Sequence, residues 1–137
     1  MTYVLDTNII TAILKGNERI KLKAQKVILE GNKIFINGIS YYETKRGLLA
    51  INTTAQLVRF EQLCKRFGLV LLETQDIFDI ASEIYADLRQ RGKLIEDADI
   101  LIASMVHHRN FILVSDDTDF NRIEGLKIEN WLKFTVI

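Results

Sequence analysis

The residues most able to do chemistry in this chain are acidic, and they come in separated groups. Asp6 follows the short apolar run Tyr3-Val4-Leu5, and Glu43 lies just beyond Ile34-Phe35-Ile36. Asp97 and Asp99 open an apolar helical pattern, while Asp116, Asp117 and Asp119 follow Phe111-Ile112-Leu113-Val114. Carboxylates that converge without a matching set of His or Cys repel one another at neutral pH. A hard divalent cation relieves that repulsion, and all-oxygen ligands suit Mg²⁺ or Mn²⁺. A site of this kind activates water and steadies the charge of a phosphodiester during in-line displacement.

Each acid also has a purely local explanation. Asp6, with Thr7 and Asn8, is well suited to cap the helix that follows. Glu43 completes the capping pattern Ser40-Tyr41-Tyr42-Glu43. Glu96 and Asp97 are favourable charges at a helix N-terminus, and Asp116 and Asp119 are natural turn formers after a strand. Turn and cap chemistry alone does not require an acid at the end of each relevant strand, so the set favours a site.

The elements that must position these acids follow from periodicity. Apolar runs at 3–5, 34–36, 69–72 and 111–114 read as buried strands, with a short last strand at 127–131. Between them lie helical patterns: Ile9, Ile10, Ile13 and Leu14; residues 20–29; residues 39–50; and a face of Leu57, Phe60, Leu63, Cys64 and Phe67 opened by a second capping pattern, Thr53-Thr54-Ala55-Gln56. Residues 76–90 form the longest helix, and 100–108 are apolar around nearly the whole circumference, which predicts a central helix. Apolar strands separated by helices predict a three-layer α/β/α sandwich with a mostly parallel sheet of four to five strands. Right-handed crossovers put every strand-to-helix junction on one edge of that sheet, where open α/β sheets bind ligands. Asp6 and the 116–119 acids lie on that edge, and Glu43 and Asp99 are within reach of it.

Composition bounds the alternatives. At 137 residues, 48% of them hydrophobic, the chain can bury the core of one domain, expected over 1–137. Eighteen basic and eighteen acidic residues cancel, so no global field advertises a nucleic-acid or membrane partner. The single Cys64 excludes an intramolecular disulfide framework and fits a reducing compartment. No secretory leader and no run of ~20 apolar residues is visible, which predicts a cytoplasmic chain with no membrane partner. There is no proline, so turns fall to Gly, Asn and Asp.

With these residues in place, the chain resembles the PIN-domain family, and more closely the VapC-type ribonuclease toxins of bacterial toxin–antitoxin pairs. The likeness rests on Val4-Leu5-Asp6-Thr7-Asn8; on Ser40-Tyr41-Tyr42-Glu43 with Gly47; and on Gly92, Ile95 and Asp99 followed by Ile100-Leu101-Ile102-Ala103. It continues through Val114-Ser115-Asp116-Asp117-Thr118-Asp119-Phe120 and Asn130-Trp131. The resemblance implies a metal-dependent endoribonuclease using Mg²⁺, with Mn²⁺ as a substitute, whose acidic quartet falls on Asp6, Glu43, Asp99 and Asp117. It further implies a homodimer, and a small cognate antitoxin that lays a segment across the active-site groove, often with a basic side chain among the carboxylates. Ser115 stands where the family usually has Thr, which keeps the hydroxyl. The acidic run leaves the fourth ligand open among Asp117, Asp119 and Asp116, in that order of preference.

On this reading Asp6, Glu43 and Asp99 hold the ion directly or through water, and Asp117 completes the site or binds a second ion. Thr7, Asn8 and Ser115 orient the carboxylates and water. Glu43 and Asp99 are both open as general base. Lys45, Arg46, Arg89, Arg91 and Lys93 are candidate contacts to RNA phosphates, weighed against an ordinary solvated surface. Tyr41 and Tyr42 are expected to pack at a subunit interface rather than stack on a base, Cys64 to lie in the core, and His107 and His108 to sit at a helix C-terminus without a ligand role. Two other readings remain: a catalytically inactive PIN-like module that binds RNA or protein, and a receiver-type phosphate domain. The receiver pattern of paired early acids and a late lysine is missing. So is a Gly-rich phosphate loop.

Overall fold

The computed structural model describes residues 1–133. Residues 134–137, the end of the expected single domain, lie outside the described residues. The elements run β1 (Thr2–Leu5), α1 (Thr7–Leu14), α2 (Glu18–Leu29), β2 (Lys33–Asn37), α3 (Gly38–Ala50), α4 (Thr54–Phe67), β3 (Leu69–Val70), α5 (Gln75–Gln90), α6 (Asp97–His108), β4 (Ile112–Val114) and β5 (Ile128–Glu129). Two short 3-10 turns, Thr118–Arg122 and Trp131–Lys133, flank β5.

All strands pair in parallel, in the order β3-β2-β1-β4-β5. Because side chains alternate along a strand, each central strand serves two cores. Tyr3 and Leu5 of β1, with Ile34, Ile36, Ile112 and Val114, face α1, α2 and α4 through Ile9, Ile10, Ile20 and Phe60. Val4 and Leu113 face the other way, onto Ile77, Ala81 and Leu88 of α5 and Ile102, Ala103 and Met105 of α6. This is the expected three-layer sandwich. Helix α6 buries Ile100 and Ile102 to Val106, and the one hydroxyl among them, Ser104, donates to the Ile100 carbonyl at 2.6 Å.

The order places β2 on one side of β1 and β4 on the other. Chain direction across the sheet therefore reverses between β1 and β4, and a crevice opens at their carboxyl ends. The register closes that end tightly: Leu5 pairs with Val114, and the Asp6 amide donates to the Val114 carbonyl at 2.9 Å.

Local details depart from the sequence expectation where a side chain found another partner. The strand expected over 69–72 pairs only through Leu69 and Val70, because as an edge strand it meets just the last two residues of β2. It is entered through Gly68, whose φ of +84° suits glycine; an added Cβ would also meet the Phe35 ring at 3.2 Å. The strand expected over 127–131 shrinks to two residues, since Asn130 turns to bond Asp116 and Trp131 turns inward against Tyr3, ring centroids 5.5 Å apart. Helix α3 starts at Gly38 rather than behind Ser40. Its cap is Asn37, which accepts from the Ser40 amide at 2.8 Å, so Glu43 is released from a capping role. Thr53 occupies the cap of α4 but makes no side-chain cap bond.

Phe60 is fully buried against Tyr41, 5.5 Å between centroids, in the core beneath α1 and α3. Phe60→Ala should lower the unfolding free energy by about 3–5 kcal/mol in urea denaturation. A loss under about 1 kcal/mol would mean that this core is not packed as described.

Candidate active site

Asp6 leaves the end of β1 and serves both local and site chemistry. Its Oδ1 accepts from the Thr7 amide at 2.8 Å, as a helix cap would. Its Oδ2 accepts from the Ser115 hydroxyl at 2.7 Å and from Asn8 Nδ2 at 3.4 Å. The side chain is 5% exposed, and burial pushes its pKa up. The bonds from Ser115 and Thr7 pull it back down, while the Glu43 and Asp117 carboxylates press it upward again.

Ser115 ties the two central strands together. Besides donating to Asp6, its hydroxyl accepts from the Asp117 amide at 3.0 Å. Asn8 completes the clasp by accepting from the Asp116 amide at 3.2 Å. On the other side, the Thr7 hydroxyl lies 2.8 Å from Glu43 Oε1 and donates to it. All three residues expected to orient the carboxylates therefore contact them or the backbone that carries them.

Asp6, Glu43, Asp99 and Asp117 line one open cavity of about 410 Å³, with Thr7, Asn8 and Thr11 in its wall. The three acids after β4 divide cleanly. Asp117 enters the cavity wall while its Oδ1 accepts from the Asp119 amide at 2.9 Å. Asp116 accepts from Asn130 at 2.8 Å, and Asp119 pairs with Arg122 at 3.5 Å. Asp97, the first residue of α6, lines a different groove with Phe78 and Tyr85 of α5.

Asp99 is the least supported of the four. Among the described residues no donor bonds its carboxyl, and burial together with Asp6, Asp117, Glu43 and Asp119 pushes its pKa up to about 7. Among the described residues no three acidic, His or Cys side chains close on one point as a ready-made ligand cage. The donor set, carboxylates with no His or Cys, is chemically suited to a hard cation such as Mg²⁺.

The cationic side chains singled out from sequence stand outside this cavity. Lys45 is engaged by Tyr41, 3.1 Å to the hydroxyl, and Arg46 lies over the exposed Tyr42 ring, 5.0 Å to its centroid. Arg91 is held by Asp87 at 2.6 Å and by the Arg122 carbonyl at 2.8 Å, and Arg89 and Lys93 are exposed at the end of α5 and just beyond it. Tyr41 packs against Phe60 of its own chain rather than being held for a subunit interface, Cys64 is partly buried beside the core, and His107 and His108 occupy the last turn of α6. Two residues near the site were not marked from the sequence: Lys15, which borders a neighbouring apolar cavity, and Asn37, which caps α3. The readable signal was an Asn at a strand end with a Ser three residues on, the spacing of a helix cap.

Comparison with known proteins identifies the family and the fold. The family model described as "PIN domain" matches residues 3–126. The chain belongs to the PIN-domain family. It is 26% identical to Ribonuclease VapC1 of Haemophilus influenzae (strain R2866) over 134 residues, 97% of this chain and all of that protein. Among solved structures, this PIN domain superposes on a chain of VapBC2 from Rickettsia felis bound to a promoter DNA fragment, with a TM-score of 0.87, 26% identity and coverage of 96% and 99%. It superposes on a chain of VapBC-1 from nontypeable Haemophilus influenzae with a TM-score of 0.85, 26% identity and coverage of 97% and 100%.

The strain at Asp99 has a measurable sign. Its folded pKa lies above the ordinary 3.8, so the metal-free fold loses stability as pH rises from about 4 to about 7. Asp99→Asn should therefore raise the metal-free melting temperature at pH 8, by an amount equivalent to about 1–2 kcal/mol after solvent screening, and give little gain at pH 4. A gain independent of pH, or a loss at pH 8, would remove the carboxylate repulsion described here.

Proposed function

We propose that this PIN domain is a metal-dependent endoribonuclease that hydrolyses RNA phosphodiester bonds as the toxin of a toxin–antitoxin pair. The observation that carries the reading is the convergence of Asp6, Glu43, Asp99 and Asp117 on one cavity at the crevice between β1 and β4. The relatives named as VapC ribonucleases, and the VapBC complexes that share the fold, support the same reading.

Asp6, Glu43, Asp99 and Asp117 would hold Mg²⁺ or Mn²⁺, which when bound supplies a more acidic water and a counter-charge for the phosphodiester. The chain's own residues do the rest. Asp6 is fixed by Ser115, Thr7 and Asn8, so it sets the position of the site. Of the two candidates for general base, Glu43 has one oxygen occupied by Thr7. Asp99 has both oxygens without a donor among the described residues, and is the better placed to accept water's proton. Arg46 stacked on Tyr42, and Arg89 and Lys93 beyond the site, remain the candidate contacts to flanking phosphates and bases.

A cognate antitoxin has a suitable seat beside the acids. An apolar cavity of about 380 Å³, walled by Leu14, Leu48 and Ile51, shares Thr7 and Glu43 with the acidic one. A segment carrying an apolar side chain next to a cation would fill the first cavity and neutralise the second. A homodimer belongs to the same reading, and the exposed Phe78 and Tyr85 on α5 offer a face for it. No helix among the described residues is long and apolar enough to cross a membrane.

Purified protein should cleave RNA only with Mg²⁺ or Mn²⁺, and Asp6→Asn or Asp117→Asn should lower kcat at least about 100-fold with the fold retained by circular dichroism. Cleavage at the wild-type rate by either variant would displace it from the site, and a wild-type protein that binds RNA without cutting it would favour an inactive binding module. For the antitoxin seat, Ile51→Asp should weaken capture of the protein encoded beside this gene by about tenfold or more and leave RNA cleavage intact. Equal capture would move the antitoxin elsewhere.

A further inference from the structure

Asn37 is fully buried at the end of β2, and every hydrogen-bonding group of its side-chain amide is in use. Its Oδ1 accepts from the Ser40 amide at 2.8 Å; its Nδ2 donates to the Leu5 carbonyl at 3.1 Å and to Ser40 Oγ at 3.0 Å. The amide can face only one way, because the Ser40 amide can only donate and the Leu5 carbonyl can only accept. From that fixed end the direction of the remaining bonds can be counted proton by proton. Ser40 Oγ and Thr7 Oγ1 are 3.0 Å apart, and Thr7 Oγ1 is 2.8 Å from Glu43 Oε1. The Thr7 hydroxyl donates to Glu43 Oε1, and its one proton is spent there. Thr7 must then receive from Ser40, whose own oxygen is already taking a proton from Asn37.

We propose that Asn37, Ser40 and Thr7 form a one-way hydrogen-bond relay that orients the Glu43 carboxylate against Asp6, which makes Asn37 and Ser40 positioning residues of the active site. This deepens the metal-dependent nuclease reading and rests on it. Asn37 holds the Leu5 carbonyl, the residue before Asp6, and caps the helix that carries Glu43. One side chain thus fixes the spacing between the first two acids. The relay takes up Glu43 Oε1 and leaves Oε2 for an ion or its water. It is the counterpart of Ser115 across the site, where another buried hydroxyl accepts from a backbone amide and donates to Asp6. Chains of this kind polarise one another, and second partners of ligating carboxylates are worth a measurable part of affinity and rate.

Ser40→Ala leaves the Asn37 cap and the Leu5 bond in place and removes only the relay's middle oxygen. Thr7→Val removes the last hydroxyl with its shape kept, and Thr7→Ser keeps the hydroxyl. Two readouts on the full chain are needed: Mn²⁺ affinity by calorimetry without RNA, and kcat and KM for RNA cleavage. Ser40→Ala and Thr7→Val should each weaken Mn²⁺ binding and lower kcat by about tenfold with KM unchanged, and Thr7→Ser should recover most of what Thr7→Val loses. Folded Ser40→Ala with wild-type Mn²⁺ affinity and kcat would overturn the relay, as would a Thr7→Ser no better than Thr7→Val. If Ser40→Ala does not fold, the two Thr7 variants decide on their own, since Thr7 is only half-buried. A wild-type protein that neither binds Mn²⁺ nor cleaves RNA would instead overturn the nuclease reading, and the relay's purpose with it.

Discussion

Mutual repulsion among Asp6, Glu43, Asp99 and Asp117 is the constraint around which this molecule is built. Four carboxylates around one cavity are unfavourable at neutral pH, and the effect is visible at Asp99, where burial and its acidic neighbours raise the pKa to about 7. Nothing in a stable fold asks for this arrangement. It persists because the surrounding structure is rigid enough to impose it, and strain of this kind gathers at functional sites.

The rigidity comes from the centre of the sheet. Strands β1 and β4 are buried on both faces, so Val4, Leu5, Leu113 and Val114 are all fully inaccessible to solvent. A slip of one residue in their register would exchange the two cores, and it would move Asp6 out of reach of Ser115. Packing energy contributed by apolar side chains thus fixes the polar groups at the strand ends. Two hydroxyls, Ser115 and Thr7, then carry that precision from the backbone to the carboxylates.

Much of this was legible in the chain because apolar runs and acids at their ends are strong, local signals. The three-layer order, the central α6, and the placement of Asp6 at a strand end and of Glu43 in the helix after the next strand all follow from periodicity. What could not be read was the outcome of competition between partners. Ser40 looked like a helix cap until Asn37 took that position, and which of Asp116, Asp117 and Asp119 lines the cavity depends on Asn130 and Arg122 engaging the other two. Those residues are distant in sequence or unremarkable in type. The basic residues were harder still, since charge alone does not say which face of a helix points at a cavity, and Arg91 spends its guanidinium on Asp87 and the Arg122 carbonyl.

The four acids are not equally held, and the differences suggest how the site divides its labour. Asp6 receives donors on both oxygens, Glu43 on one from Thr7, and Asp117 on one from the Asp119 amide. Asp99 receives none among the described residues, and it alone rises to about neutrality. The three fastened carboxylates define a fixed acidic frame, and the unfastened one leaves a charge deficit that only a cation or a proton from outside can fill. In the proposed reaction, binding a divalent ion would relieve repulsion already present rather than reorganise the protein. The same imbalance explains why a partner's basic side chain would be an effective inhibitor. It would satisfy Asp99 in the ion's place, beside an apolar cavity walled by Leu14, Leu48 and Ile51 that can anchor the rest of the segment. Catalysis and silencing would then draw on one electrostatic deficit, which ties the control of such an enzyme to its chemistry.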